Sequence, residues 1–224
     1  WLQPEPSNAI RLEAKRFCLE HGYTFHNARE HSGLMRNLIV RTASTGEVMV
    51  IVVFGADDRP RITALLDHLA EAFPQITSLF YVVNTKLNDS VGDLEAVCYR
   101  GKDHIIEQME GLRFKVGPKS FYQTNSAQAY ELYKVARDFA DLQPDEVLYD
   151  LYTGTGTIAN FCAARCRRVV GIEYVPEAIA DAKINSELNG IRNTVFYAGD
   201  MKAVLDDAFV AANGHPDVVI LDPP

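Results

Sequence analysis

Long apolar runs are missing from this sequence. The run Val48 to Phe54 falls far short of the roughly 20 residues a membrane-spanning helix needs. A C-x-x-C pair is missing as well. The four cysteines, Cys18, Cys98, Cys162 and Cys166, lack the spacing of a zinc site or a redox dithiol. Cys162 and Cys166 share a helix face at i, i+4, which in most helices means two small buried residues; all four are read as reduced and structural, with no metal expected. The amino end, WLQPEPSNAIRLEAKR, has no basic-then-apolar leader layout, so a cytoplasmic protein is expected. Neither repeats nor low-complexity tracts occur, and 47% hydrophobic with 23% charged residues excludes the disordered class. Positive charge is scarce: the net charge is −8, with 13 Lys and Arg against 15 Asp and Glu in 1–118 and 9 against 15 in 119–224. Binding to nucleic acid through a global basic field is thereby excluded, and any RNA contact must come from local patches.

The most informative stretch is Asp145 to Glu173, DEVLYDLYTGTGTIANFCAARCRRVVGIE. Val147 to Leu151 is a short apolar strand. Gly154 and Gly156 then allow a tight turn and close approach to a ligand, Thr157 to Ala164 reads as a helix, and Arg168 to Ile172 as a β-branched strand ending at Glu173. The unit is βαβ, with its ligand expected at the carboxyl ends of the strands. Gly154, Gly156 and Ala159 formally satisfy the dinucleotide pattern G-x-G-x-x-G/A, with Glu173 as ribose acid, which would make the chain a nicotinamide dehydrogenase. Asp150 argues against it, because a carboxylate four residues before Gly154 repels a pyrophosphate and suits a cofactor bearing a sulfonium and an amino group. Two more strands end in acids: NTVFYAGD closing on Asp200, and PDVVILDPP closing on Asp222-Pro223-Pro224. D-x-x-x-G-x-G followed by acids at successive strand ends resembles the S-adenosylmethionine motif of class I methyltransferases.

Ahead of this unit the pattern is α+β. Pro4 to Gly22 reads as a helix with Ser7 as its cap. Leu34–Thr42 and Glu47–Phe54 read as an antiparallel hairpin, on which Arg36, Asn37 and Arg41 are expected to face solvent or RNA. Arg61–Phe73 is amphipathic through Ile62, Leu65, Leu66, Leu69 and Phe73 and should cover that sheet. A strand at Leu79–Val83, a polar connector and short strands around Cys98, Ile105 and Phe114 follow. The expected division is 1–118, an α+β domain, and 119–224, the front of an α/β Rossmann-like sheet. Phe121-Tyr122-Gln123-Thr124-Asn125 precedes a helix at Ser126–Leu142, and taken alone it is an aromatic anchor followed by amide capping.

Together, F-x-Q-x-N, D-L-Y-T-G-T-G-T, G-I-E-Y-V-P-E-A-I and L-D-P-P resemble the RNA uracil-5 methyltransferase family of the RumA/TrmA type, continuously from about Gly117 to Pro224. The MRNLIVR hairpin resembles that family's central domain. The resemblance implies S-adenosylmethionine as cofactor, held by Gln123, Asp150, Tyr152, Gly154, Gly156, Thr157, Glu173, Asp200 and Asp222. Glu173 would bind both ribose hydroxyls, and Phe121, Gln123 and Asp222 would lie by the target base. It implies RNA as partner, ribosomal ahead of transfer RNA, and 5-methylation of uridine. In that chemistry a cysteine thiolate adds at C6, C5 accepts the methyl group, and a base removes the C5 proton. In the family both groups follow D-P-P, so no catalytic residue is expected among the four cysteines here and the chain alone is expected to be inactive. The alternatives are a methyltransferase acting on exocyclic amines of nucleic acid and a non-catalytic cofactor- or RNA-binding module.

Overall fold

The computed structural model describes residues 3–223. The chain divides into two compact units, Trp1–Ile106 with Gly117–Lys119, and Glu107–Val116 with Ser120–Pro224.

In the first unit, helix α1 (Ser7–Glu20) is followed by strands β1 (Met35–Thr42) and β2 (Val48–Phe54), helix α2 (Arg59–Ala72), and strands β3 (Ile76–Val83) and β4 (Val97–Gly101). The sheet order is β1-β2-β3-β4. The β1–β2 and β3–β4 pairs are antiparallel and β2–β3, joined through α2, is parallel. The β2 residues VMVIVVF are all buried, as expected of a central strand whose apolar run shows no alternation. Val48, Val50, Val52 and Phe54 share a core with Ile10, Ala14, Phe17 and Cys18 of α1 and with Ile62, Leu65, Leu66 and Leu69 of α2. The stripe on α2 therefore covers this sheet. Ser7 does not cap α1: Pro6 holds that position with no side-chain bond, and Ser7 is the first helical residue, buried. On α2 the cap is Asp58, which accepts from the Arg61 amide.

The basic residues of β1 are neither solvated nor open to a ligand. Arg36 donates to the carbonyls of Asn84 (2.8 Å), Lys86 (2.6 Å) and Asn88 (3.1 Å) and pairs with Asp89 at 2.8 Å. Its side chain is only 2% exposed, so it fastens the polar connector after β3. Arg41 donates to the Gly117 carbonyl and is half-buried. Asn37 is exposed, as expected.

The second unit begins within strand β5 (Ile105–Met109), which forms a hairpin with β6 (Leu112–Val116). Its turn residues Glu110 and Gly111 both have positive φ, 47° and 82°, the geometry of a two-residue hairpin turn. Then come α3 (Ser126–Ala140), β7 (Val147–Leu151), α4 (Thr157–Cys162), β8 (Arg168–Glu173), α5 (Pro176–Leu188), β9 (Thr194–Ala198), α6 (Met201–Val204), α7 (Asp207–Asn213) and β10 (Val218–Leu221). Strands β10-β7-β8-β9 form one parallel sheet in that order. Leu148 and Val169 face one core with Ala129, Tyr133, Ile158, Phe161, Ile179 and Ala182; Val147, Tyr149, Leu151, Val170 and Ile172 face another. Residues 107–116, placed before the boundary by the sequence pattern, lie in this unit. The β6 amides of Arg113 and Lys115 donate at 2.8 and 2.7 Å to Asn189, which caps α5, and to Asn185 within it. No helix among the described residues is long and apolar enough to cross a membrane.

Candidate cofactor site

Parallel strands bring their carboxyl ends to one edge, and the order β10-β7-β8-β9 places β7 centrally there. The chain leaves β7 through Tyr152, a non-glycine residue at φ 66°, a conformation that costs free energy and clusters at functional sites. The Tyr152 and Thr153 amides both donate to the Ile172 carbonyl, at 3.0 and 3.1 Å, which ties the turn to β8. Gly154 (φ 53°) has open space where a Cβ would stand, whereas a Cβ on Gly156 (φ 74°) would meet Ala182 at 2.9 Å. One glycine therefore serves the turn and leaves room beside it; the other serves close packing on α5. Asn160 donates to the Gly156 carbonyl (2.8 Å), Asn185 to that of Thr155 (3.0 Å), and Ser186 to Asn160 (2.7 Å). This buried amide network fixes the loop. Thr157 is turned into it, buried, with its hydroxyl 3.3 Å from that of Thr155.

Asp150 lies beneath the loop with no exposed surface. It stands in register with Gly171 of β8, where a Cβ would sit 2.5 Å from the Phe196 ring. One oxygen accepts from the Thr153 hydroxyl at 2.6 Å, and Oδ1 is buried without a partner. Burial raises its pKa to about 7, and the charges of Asp222 and Glu173 push the same way, against the lowering influence of the Thr153 hydroxyl and the Ala159 amide. Glu173, at the end of β8, is partly exposed. Its Oε2 accepts from the Gly154 amide at 3.1 Å and its Oε1 from the Val175 amide at 3.0 Å. Each oxygen keeps a lone pair for an outside donor.

Asp222, just past β10, is exposed and has no protein hydrogen-bond partner among the described residues. Its charge raises the pKa of Asp150 and of the buried Tyr133 phenol, the latter pushed up to about 12 chiefly by burial. Pro224, the last residue of that motif, lies outside the described residues. Asp200 is exposed and caps α6 through the Lys202 amide, which gives it a structural employment. Before α3, Tyr122 anchors against Phe114 and Asn125 caps the helix through the Gln128 amide. Those two residues fulfil the bland reading of F-Y-Q-T-N. Phe121 is left 73% exposed, and Gln123 is partly exposed with no protein hydrogen bond among the described residues.

The structure thus gathers Asp150, Glu173 and Asp222 around the glycine loop, and no polar contact joins Phe121, Gln123 or Asp200 to them. Sequence reasoning missed Thr153, Tyr133, Asn160 and Asn185. The only local signal was the threonine and asparagine content of Y-T-G-T-G-T-I-A-N. Among the described residues no group of three or more His, Cys, Asp or Glu could hold a metal. The cysteines are free. Burial pushes Cys18 and Cys162 up to about 11 and 12 and raises Cys166. Cys98 is exposed, its thiol donating towards the Gly101 and Lys102 carbonyls, and burial of the thiol with the charge of Asp103 raises it too. None is an activated thiolate.

A glycine loop after the central strand of a parallel α/β sheet, with acids at the neighbouring strand ends, defines the Rossmann-like fold of the class I, S-adenosylmethionine-dependent methyltransferases. Residues 142–222 match a family model described as a methyltransferase domain. Over its whole length the chain is similar to an uncharacterized RNA methyltransferase of Bacteroides thetaiotaomicron, 56% identical across 100% of this chain and 50% of that protein. A second, of Porphyromonas gingivalis, is 60% identical across 97% of this chain and 47% of that protein. Among solved structures it is similar to the Pyrococcus abyssi tRNA (uracil-54, C5)-methyltransferase in complex with S-adenosyl-L-homocysteine. That match has a TM-score of 0.75 and 28% identity, covering 96% of this chain and 50% of that one. The chain is similar to these RNA methyltransferases, and it spans about half the length of the curated relatives it matches.

Proposed function

We propose that the chain is the cofactor-binding part of an S-adenosylmethionine-dependent RNA methyltransferase acting at uridine C5. The observation that carries the cofactor reading is the placing of Asp150, Glu173 and Asp222 around a glycine loop with open space beside Gly154. A pyrophosphate would meet the carboxyl groups of Glu173 and Asp222 at that edge, with Asp150 buried below them; a cationic sulfonium meets favourable charge. The residues present fit the cofactor. Glu173 would accept from both ribose hydroxyls with the lone pairs its two amide bonds leave free, a charge-assisted pairing. Asp150 offers a buried oxygen without a partner. Tyr152 and Asp222, exposed, and Gln123, partly exposed, are the residues we assign to the rest of the cofactor. When bound, the cofactor supplies an electrophilic methyl group.

Uridine C5 as the acceptor rests on the resemblance to uracil-5 methyltransferases and on similarity to the Pyrococcus abyssi enzyme. Phe121, exposed before α3, offers a flat apolar face to an extruded base. The nucleophile is none of the four cysteines, whose thiols all ionise above their ordinary range, and it belongs to a part of the protein outside this chain.

Calorimetry with S-adenosylhomocysteine and with NAD tests the cofactor assignment, and tighter binding of NAD overturns it. RNA bearing 5-fluorouridine tests the acceptor, since fluorine at C5 cannot leave as a proton and traps the covalent complex. The 224-residue chain is expected to give no adduct and a form extended to the length of its relatives a clear one, with a ribosomal RNA loop tried before a transfer RNA loop. An adduct with this chain that vanishes on replacing one cysteine by serine sinks the assignment of the nucleophile. Methylation of an exocyclic amine by the extended form sinks the choice of C5.

A further inference from the structure

Residues 119–224 are short of positive charge, with 9 Lys and Arg against 15 Asp and Glu. Even so, three of those nine line one cavity of about 480 Å³: Arg167, Arg168 and Arg192. Topology brings them together. Arg167 and Arg168 stand at the start of β8 and Arg192 just before β9, and β8 and β9 are parallel neighbours, so their amino ends adjoin. Asn193, Val195 and the end of α7 with its cap, Ala212, Asn213 and Gly214, complete the wall, and no carboxylate lines it.

The guanidinium groups are positioned by neutral partners alone. Arg168 donates from Nη2 to Asn213 Oδ1 at 2.8 Å. Asn213 is itself buried, accepts from the Tyr197 hydroxyl at 2.9 Å and donates to the Phe209 carbonyl at 3.1 Å. The Arg168 head is thus held in place, while its Nε is buried with no acceptor. Arg167 uses Nε on the Asp145 carbonyl at 3.0 Å, leaving its terminal nitrogens. Arg192 is exposed with no ion pair or hydrogen bond to the described residues. Three like charges gathered without a counter-ion repel one another, and guanidinium forks match a tetrahedral oxyanion bidentately.

We propose that this pocket is a phosphate-binding site, filled by a backbone phosphate of RNA or by a free phosphorylated small molecule. It lies at the amino ends of the strands, one strand length of roughly 20 Å from the acid-lined edge, so its occupant does not compete with the cofactor. The site stands without the methyl-transfer reading; only the choice of RNA as the source of phosphate rests on it.

The test is a titration of the 224-residue chain, with arginine side chains labelled with nitrogen-15, against a ten-nucleotide single-stranded RNA and, separately, inorganic phosphate. Saturable shifts of the Arg167, Arg168 and Arg192 Nε–H signals are expected with at least one probe. RNA alone identifies the strand as source, and phosphate alone identifies a free ligand. The double variant Arg167→Gln with Arg192→Gln, which keeps the Arg168–Asn213 bond, should weaken binding of the effective probe about tenfold or more. If RNA is that probe, the logarithmic salt slope should fall by about 0.7, the share of the one phosphate no longer neutralised. S-adenosylhomocysteine affinity should not move. Should it fall with the double variant, Arg192→Gln alone decides, because Arg192 holds no other part of the chain. Unchanged probe affinity in that variant, or no saturable shift with either probe, overturns the proposal.

Discussion

Replacing Asp150 by asparagine should change how stability depends on pH in a direction opposite to that of an ordinary carboxylate. In the unfolded chain the group titrates near 3.8, and in the folded chain near 7, because it is wholly buried beside Asp222 and Glu173. Below 3.8 the carboxyl is neutral in both states and costs nothing. Between the two values the folded state holds a proton that the unfolded state has released, so stability falls as pH rises, and above about 7 the loss is complete. Moving the midpoint from 3.8 to about 7 corresponds to about 4 kcal/mol. Asparagine keeps the shape and can still accept from the Thr153 hydroxyl, but it carries no charge at any pH. Its amide hydrogens occupy the unpartnered Oδ1 position and cost about 1–3 kcal/mol at every pH. Urea unfolding of both proteins from pH 4.5 to 8 therefore should show the wild type losing about 3–4 kcal/mol relative to Asp150→Asn across that range, with other titrating groups cancelling in the difference. A difference constant with pH would mean that the carboxylate is hydrated or otherwise compensated, and the account of the loop's underside would be wrong.

Other consequences fall at single positions. Glu173→Ala should weaken S-adenosylhomocysteine binding by about 2–3 kcal/mol in calorimetry, whereas Glu177→Ala, exposed in the first turn of α5, should leave it within error; equal losses would identify the wrong acid. Gly156→Ala should lower the chemical-denaturation midpoint by the equivalent of about 2 kcal/mol, since it combines a left-handed φ with a Cβ 2.9 Å from that of Ala182; an unchanged midpoint would show that the loop relaxes freely. Arg36→Ala should cost about 2–4 kcal/mol and open the 84–93 connector to limited proteolysis, because the Asn84 and Lys86 carbonyls and Asp89 lose the Arg36 donor and the Asn88 carbonyl is left with the Asn84 side-chain amide; an equally resistant connector would show that it is held by other means.

How much of this is legible in the sequence depends on how far along the chain each cause lies. The strand, glycine loop, helix and strand of 147–173 are readable because each signal is local: an apolar run, two glycines whose φ the turn requires, and a β-branched return ending in an acid. The same holds for the α2 stripe and for the β1–β2 hairpin. Arg36 defeats such a reading because its partners lie 48 to 53 residues away, and nothing near M-R-N-L marks it as the clasp of another loop. The β5–β6 hairpin looks like the tail of the first domain because its link to α5 spans 70 to 76 residues. The four acids at strand ends look alike in the sequence, yet they do different things. Asp150 is buried and protonates near neutrality, and Glu173 is pinned by two amides. Asp200 caps a helix, and Asp222 is exposed without a partner among the described residues. A strand-ending acid therefore places a carboxyl at the right edge of the sheet, and the residues packed around it decide its charge and its use. Burial of Asp150 follows from Gly171 and Phe196 as much as from its own position. The Asp150 titration consequently tests the packing of three adjacent strands, and the cofactor site inherits whatever charge that packing allows.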